Sequence, residues 1–292
     1  SRGPCYDARK SIGEDKMKPV RWGVIGATAN ICTRRVLAAM QACEHATIVA
    51  LASRDEAAAR ALAQQYAVPR AYGTYDELIA DPEVEAVYNP LPNHLHLPWS
   101  TKAAEAGKHV LCEKPLGLSA AEVESFIELR DRTGMQIQES FMIRSHPQWL
   151  RARELVREGR IGEMRAIQGT FCHFLTDPDN IRNKAEMGGG GLYDTGCYPI
   201  TTSRFMFDDE PTRVIALVDR DSGFKVDRLV SAVLDFPAGQ ASFVCSQQLA
   251  LIERMVVLGT AGRIELRMPF DAPHETPCQI VIDDGSIRHD AS

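Results

Sequence analysis

The feature that most constrains this chain is an alternation. Between residues 20 and 138 short apolar runs take turns with helix-like stretches. Residues 22–26, 46–52, 84–88, 109–112 and 135–138 read as strands, being short, apolar and flanked by turn residues. Helices are expected at 34–41, 56–66, after Thr74, at 99–106 and after Ser119. Asp55 is placed to cap the second of these. Thr74 with Glu77 and Ser119 with Glu122 have capping-box spacing, and Gly107 and Gly134 suit left-handed helix ends. Strands alternating with helices predict a parallel sheet wound with right-handed crossovers, so residues 18–140 read as a doubly wound α/β domain.

The pattern changes after Arg144. A helix is expected at 149–158, and longer strands at 163–174, 213–219, 228–236, 240–247, 253–259 and 263–268. Short turns at 221–223, 237–239 and 260–262 join sequential strands, which predicts a largely antiparallel open sheet. Residues 141–292 therefore read as an α+β domain, and residues 1–17 as a polar extension without the apolar stretch of a secretory signal.

Composition excludes some partners. The 292 residues carry 33 Lys and Arg against 39 Asp and Glu, a net charge of −6, which argues against nucleic acid or an anionic membrane. No apolar run has the length of a membrane span. Eight cysteines are scattered with no C-x-x-C pair, which suits a reduced, cytoplasmic setting.

A strand running into Gly26 and then a helix is the setting of a dinucleotide turn, where glycine lets backbone approach a pyrophosphate at a helix N-terminus. The G-x-G-x-x-G pattern keeps only its first glycine. Ala27, Thr28, Ala29, Asn30 and Ile31 follow it, with one extra residue before Asn30. At the tip of the second strand, Ser53 and Arg54 stand where an acidic residue would bind a ribose 2′-hydroxyl. A hydroxyl and a guanidinium suit a 2′-phosphate, so NADP is favoured over NAD. The plainer reading is a solvated arginine before a helix, its charge partly offset by Asp55.

Two loops follow the third and fourth strands, at the carboxyl ends where open α/β sheets bind ligands. One runs Pro90, Leu91, Pro92, Asn93, His94, Leu95, His96; the other is Glu113, Lys114, Pro115. Further on, Asn180 and Arg182 precede four glycines at 188–191, then Asp194, Gly196 and Tyr198. His94, His96 and His146 lack a nearby cysteine or carboxylate to complete a set, so no metal is expected.

Taken in order, these segments resemble the glucose–fructose oxidoreductase, inositol dehydrogenase and MocA family. The E-K-P triplet, the P-N-H-L-H loop, the A-G-K-H-V-L-C lead-in at 106–112 and the G-G-G-x-x-x-D-x-G-x-Y segment carry the likeness, over residues 18 to 266. The run from Phe141 through Arg144 and His146 to Trp149, and tyrosine at 198, look like the branch of aldose and dihydrodiol dehydrogenases. The resemblance implies a Rossmann-type domain and hydride transfer between a nicotinamide and a sugar, polyol or diol. It implies that Lys114, Asp194 and Tyr198 surround the substrate.

The chemistry agrees. Oxidising an alcohol needs a base for the hydroxyl proton. A free phenol has a pKa of about 10, and a lysine ammonium close by would lower it. Tyr198 is thus expected as acid/base, Lys114 as its electrostatic partner and Asp194 as acceptor of a substrate hydroxyl. Asp194 and Tyr198, four apart, share one face of a helix that Pro199 would disturb. Pro115 restricts Lys114 to extended backbone.

The expected cofactor contacts are Gly26, Thr28, Ala29, Asn30, Ile31, Ser53, Arg54, Pro90, Leu91, Asn93, His96, Glu113 and Lys114. The expected substrate contacts are Lys114, Arg144, Asn180, Arg182, Asp194 and Tyr198. The chain stops at Ser292, soon after Asp283, Asp284 and Gly285, where the family continues with a closing segment. A sheet face left uncovered there would be the interface of a homodimer or homotetramer. Two other readings keep the fold: a non-catalytic NADP-binding regulator or scaffold, and a reductase of an imine or biliverdin-type substrate.

Overall fold

The expected strands form, and they pair as the crossover argument requires. A computed structural model describes residues 18–273 and 276–284; the extension at 1–17, Cys5 and Gly285 lie outside them. The chain divides into two compact units, residues 1–90 with 102–110, and residues 91–101 with 111–292.

Six strands, β1 (Val20–Val24), β2 (Ala46–Ala52), β3 (Arg70–Tyr72), β4 (Ala86–Asn89), β5 (His109–Glu113) and β6 (Ile137–Ser140), lie in the order β3-β2-β1-β4-β5-β6. The β1–β2, β1–β4 and β2–β3 pairs are parallel. Strand order reversing at β1 is the arrangement of dinucleotide-binding sheets. The helices are α1 (Leu37–Ala42), α2 (Glu56–Gln65), α3 (Tyr75–Ala80), α4 (His96–Glu105), α5 (Ala120–Thr133), α6 (Pro147–Arg157) and α7 (Cys197–Phe207). Asp55 accepts from the Ala58 N–H to cap α2, and Thr74 and Glu77 bond reciprocally at the start of α3. Gly134 ends α5 at φ 70°. Two details departed from expectation. β3 is too short, at three residues, to show a period. The extra residue after Gly26 is followed by a π-helical turn, Cys32–Val36, continuous with α1; a π turn is how a helix takes in one residue more than α geometry allows.

The other sheet has seven strands, β7 (Met164–Phe174), β8 (Arg213–Arg220), β9 (Asp227–Phe236), β10 (Gly239–Ser246), β11 (Gln248–Gly259), β12 (Arg263–Leu266) and β13 (Ile280–Asp283). Their order is β13-β12-β11-β7-β10-β9-β8. It is antiparallel apart from the β7–β10 pair. β7 separates β10 and β11, two successive strands of opposite direction, so it must run parallel to one of them. One face carries a core in which Ile167 and Phe171 of β7 meet Trp149 and Leu155 of α6 and Tyr198 and Met206 of α7. The other face leaves large apolar side chains in the open: Ile215 is 74% exposed, Leu217 78% and Leu251 74%.

Candidate active site

Lys114, Asp194 and Tyr198 come together, all within the second unit. The glycine-rich segment sets this up. The Gly190 N–H reaches the Arg182 carbonyl, and a Cβ on Gly189 would come within 2.4 Å of that same oxygen. Gly190 sits at φ +123°, and a Cβ there would meet Asp227 Oδ1 at 2.2 Å. These two glycines are dictated by the protein's own backbone and by Asp227. That buried aspartate accepts from the Leu192 N–H at 2.6 Å, anchoring the start of the helix that carries the site.

That helix opens with a second π-helical turn, Leu192–Gly196, and runs on into α7. Pro199 offers no N–H to the turn before it. The Asp194 carbonyl instead accepts the Lys114 ammonium at 2.7 Å, and Asp194 Oδ1 accepts it at 3.2 Å. Lys114 follows β5 and is joined to Pro115 by a cis peptide bond. Its Nζ also lies 4.9 Å from the centroid of the Tyr198 ring.

Asp194 was read as acceptor of a substrate hydroxyl, and its carboxylate also accepts within the protein. Besides Lys114, Arg182 Nε donates to Oδ2 at 2.7 Å and His173 Nε2 lies 3.0 Å from the same oxygen. Burial works against the Asp194 charge, yet the Lys114 and Arg182 cations and these hydrogen bonds hold the carboxyl well below its usual range. Burial likewise opposes the Lys114 charge, but the Tyr198 oxygen and Asp194 outweigh it and raise its pKa.

Tyr198 sits in an aromatic box. Its ring centroid is 5.1 Å from that of Phe141, 5.2 Å from Phe171 and 5.0 Å from Phe270. Phe270 in turn stacks near Trp149, whose indole N–H holds the Pro269 carbonyl. The sequence argument had Lys114 lowering the phenol pKa. Lys114 does pull it down, but burial is the larger effect and the net shift is upward.

Other expected residues fall into different roles. Asn180 caps its own turn by accepting from the Arg182 N–H. Arg144 is exposed and makes no hydrogen bond or ion pair with the cluster, although its charge is felt by Glu139. His96 begins α4 and is fully buried, each ring nitrogen 2.8 Å from a carbonyl, one of Pro115 and one of Leu91. Burial lowers its pKa and favours the neutral ring, which donates to one of these two carbonyls at a time. Asn93 donates to the Gly188 carbonyl, and Glu113 accepts from the Lys114 N–H. Leu91 and Pro90 are buried. His173 was missed because a histidine in a strand carries no local signal. Among the described residues no group of three or more His, Cys, Asp or Glu side chains is placed to hold a metal ion.

The first unit was read as binding the nucleotide, and its residues fit one. Gly26 adopts φ 59°, a left-handed turn open to glycine, and the helix after it starts with N–H groups that have no acceptor within the helix. Thr28 Oγ1 and Ser53 Oγ lie 3.3 Å apart, and Ser53 also accepts from the Asp55 N–H. The exposed Arg54 guanidinium lies near buried Tyr75 and opposes the upward shift that burial gives its phenol. Ala29, Asn30 and Ile31 complete the turn and enter the helix.

A sheet of this order, with a lysine–carboxylate–tyrosine cluster in the same chain, defines a nicotinamide-dependent oxidoreductase. Comparison with known proteins identifies which. Residues 20–141 match the model of an oxidoreductase family with an NAD-binding Rossmann fold, and residues 149–265 match the GFO/IDH/MocA C-terminal domain. The chain belongs to that family. It is 52% identical over 271 residues to an uncharacterized oxidoreductase of Rhizobium meliloti, covering 92% of this chain and 81% of the relative. It is 39% identical over 252 residues to a D-xylose 1-dehydrogenase (NADP(+)) of Haloferax volcanii, covering 86% and 76%. Among solved structures, a 3-ketoreductase from Actinomadura kijaniata in complex with NADP and TDP-benzene superposes with a TM-score of 0.86 at 30% identity, covering 92% and 82%.

Proposed function

We propose that this protein uses NADP to move a hydride between the nicotinamide and a hydroxyl-bearing carbon of a sugar, polyol or diol. Residues 18–140 would hold the nucleotide and residues 141–292 the substrate. The observation that carries the reading is the state of Tyr198. Its ring is clamped on three sides, Lys114 is tethered over it, and its hydroxyl makes no hydrogen bond with any described residue. A phenol whose ring is held and whose hydroxyl bonds nothing among the described residues can donate to or accept from a bound substrate.

In reduction, neutral Tyr198 gives its proton to the carbonyl oxygen as hydride reaches the carbon; in oxidation the hydroxyl proton passes to the tyrosine oxygen. The bound nicotinamide supplies or receives the hydride. The Lys114 ammonium stabilises charge on the tyrosine oxygen during either transfer. Gly26, Thr28 and the start of the helix at Asn30 would bind the pyrophosphate, and Ser53 and Arg54 the 2′-phosphate. Relatives support the substrate class, since they include the D-xylose dehydrogenase, dTDP-sugar 3-reductases and trans-dihydrodiol dehydrogenases. The non-catalytic reading gains nothing from a site that keeps its proton-transfer groups tethered.

The bare apolar face of the seven-stranded sheet supports a homo-oligomer. Its cross-strand rows run Leu217, Ser231, Val244, Thr170 and Ile215, Val233, Ser242, Gln168. No helix among the described residues is long and apolar enough to cross a membrane. Seven described cysteines are free, in keeping with a reduced, cytoplasmic setting.

The test is Tyr198→Phe, assayed with NADP(H) on an aldose and diol panel, beside a fluorescence titration with NADPH. Turnover should fall about 10²- to 10⁴-fold, the scale of one acid/base group, while NADPH binding holds. Turnover at close to the wild-type rate would sink the assignment.

A further inference from the structure

We propose that His173 is a positioning residue for this reaction, holding the Asp194 carboxylate so that Lys114 stays over Tyr198. The inference rests on Lys114 and Tyr198 being the proton-transfer pair. Its geometry comes from β7, which lies inside the sheet between β10 and β11. Phe171 and His173 are two apart and so point to one face, about 6.6 Å from each other along the strand. Asp194 lies in the π-helical turn and Tyr198 in the first turn of α7, and both meet β7. Phe171 meets the Tyr198 ring edge-on, and His173 meets Asp194 Oδ2.

Lys114 needs Oδ1 to face it, which requires the carboxylate not to turn about its Cβ–Cγ bond. Arg182 donates to Oδ2 through Nε, from a short turn at Ile181–Asn183, with its side chain 40% exposed. Without His173 the donors to the carboxylate among the described residues are Lys114 on Oδ1 and Arg182 on Oδ2, the second reaching it from a half-exposed side chain. His173 adds a second donor to the same oxygen from the end of β7, one residue beyond the Cys172–Ser246 pair that closes the β10 ladder, and so restrains the carboxylate from the strand side. Its contact is made by the distal ring nitrogen. A glutamine places its amide nitrogen at comparable reach, whereas an asparagine is too short.

The experiment compares His173→Leu, His173→Gln and His173→Asn. The first readout is the rate at which trinitrobenzenesulfonate labels Lys114, followed peptide by peptide in the mass spectrometer. The second is kcat and KM on any aldose or diol that the wild type turns over, beside the Kd for NADPH. His173→Leu should label Lys114 several-fold faster and lose about 10- to 100-fold in kcat, the scale of one charge-assisted hydrogen bond. KM and the Kd for NADPH should hold. His173→Gln should restore both readouts and His173→Asn should not, and this pair decides the matter if the leucine variant fails to fold. Wild-type labelling in both the leucine and asparagine variants would overturn the inference. Faster labelling in a protein that turns over no alcohol would sustain it while removing the proposed function.

Discussion

The two sheets of this chain face solvent differently. β4 is buried at all four of its positions, whereas β8 is exposed at all eight. Parallel strands wound by crossover helices are covered on both faces, so they are written as unbroken apolar runs. β8 is the edge strand of its sheet, and its side chains, alternating between the two faces, are exposed on both. Both sheets are rich in valine and leucine, so apolar content alone does not separate a strand that holds the fold from one that offers a surface. Position in the sheet does.

Matched substitutions should break that comparison if it is wrong. Val87→Asp puts a charge at a fully buried position of β4 and should cost about 4 kcal/mol or more, seen as loss of the folding transition in thermal melts. A melt unchanged from wild type would mean that this strand is not covered as described.

The next effect concerns the phenol raised by burial in the second unit. The group is neutral up to an unusually high pH, so it is ready to donate but must lose its proton to act as a base. Alcohol oxidation should therefore climb with pH, close to tenfold per unit from about pH 7 to about pH 10, with carbonyl reduction nearly flat over that span. A plateau in oxidation near neutrality would show that Lys114 outweighs burial.

Arg54→Ala should weaken NADPH binding about 10- to 100-fold with little change for NADH, measured by fluorescence titration. Equal losses for both nucleotides would remove Arg54 as the selector. The smallest effect on folding belongs to Leu217→Asp, on the bare face. It should shift stability by less than about 0.5 kcal/mol per chain while reducing the mass seen by sedimentation. An unchanged mass would mean that another surface holds the oligomer.

Much of this was legible in sequence because it is local. Asp55, Thr74, Glu77 and Ser119 announce helix starts through hydrogen bonds that span three residues. Gly134 announces a helix end through its own backbone angle. Lys114, Asp194 and Tyr198 were found as motif positions. What they do was less legible, because it depends on partners far along the chain. Lys114 and Asp194 are 80 residues apart, and His173 lies 21 before Asp194, in a strand whose sequence gives no hint of an ion-pair network. The three-residue β3 and the single parallel pair in the second sheet were hidden for the same reason.

The sequence by itself determined the order of strands and helices, the helix caps, the glycine turn and the motif positions Lys114, Asp194 and Tyr198. Each follows from side-chain pattern or backbone freedom within a few residues. Tertiary structure alone decided that Asp194 is held by Lys114, Arg182 and His173 and that the phenol of Tyr198 is raised rather than lowered. It also decided that the seven-stranded sheet is covered by α6 and α7 on one face and leaves apolar side chains open on the other. Those outcomes depend on distance and on exclusion of water, which arise when segments far apart in the chain close on one another.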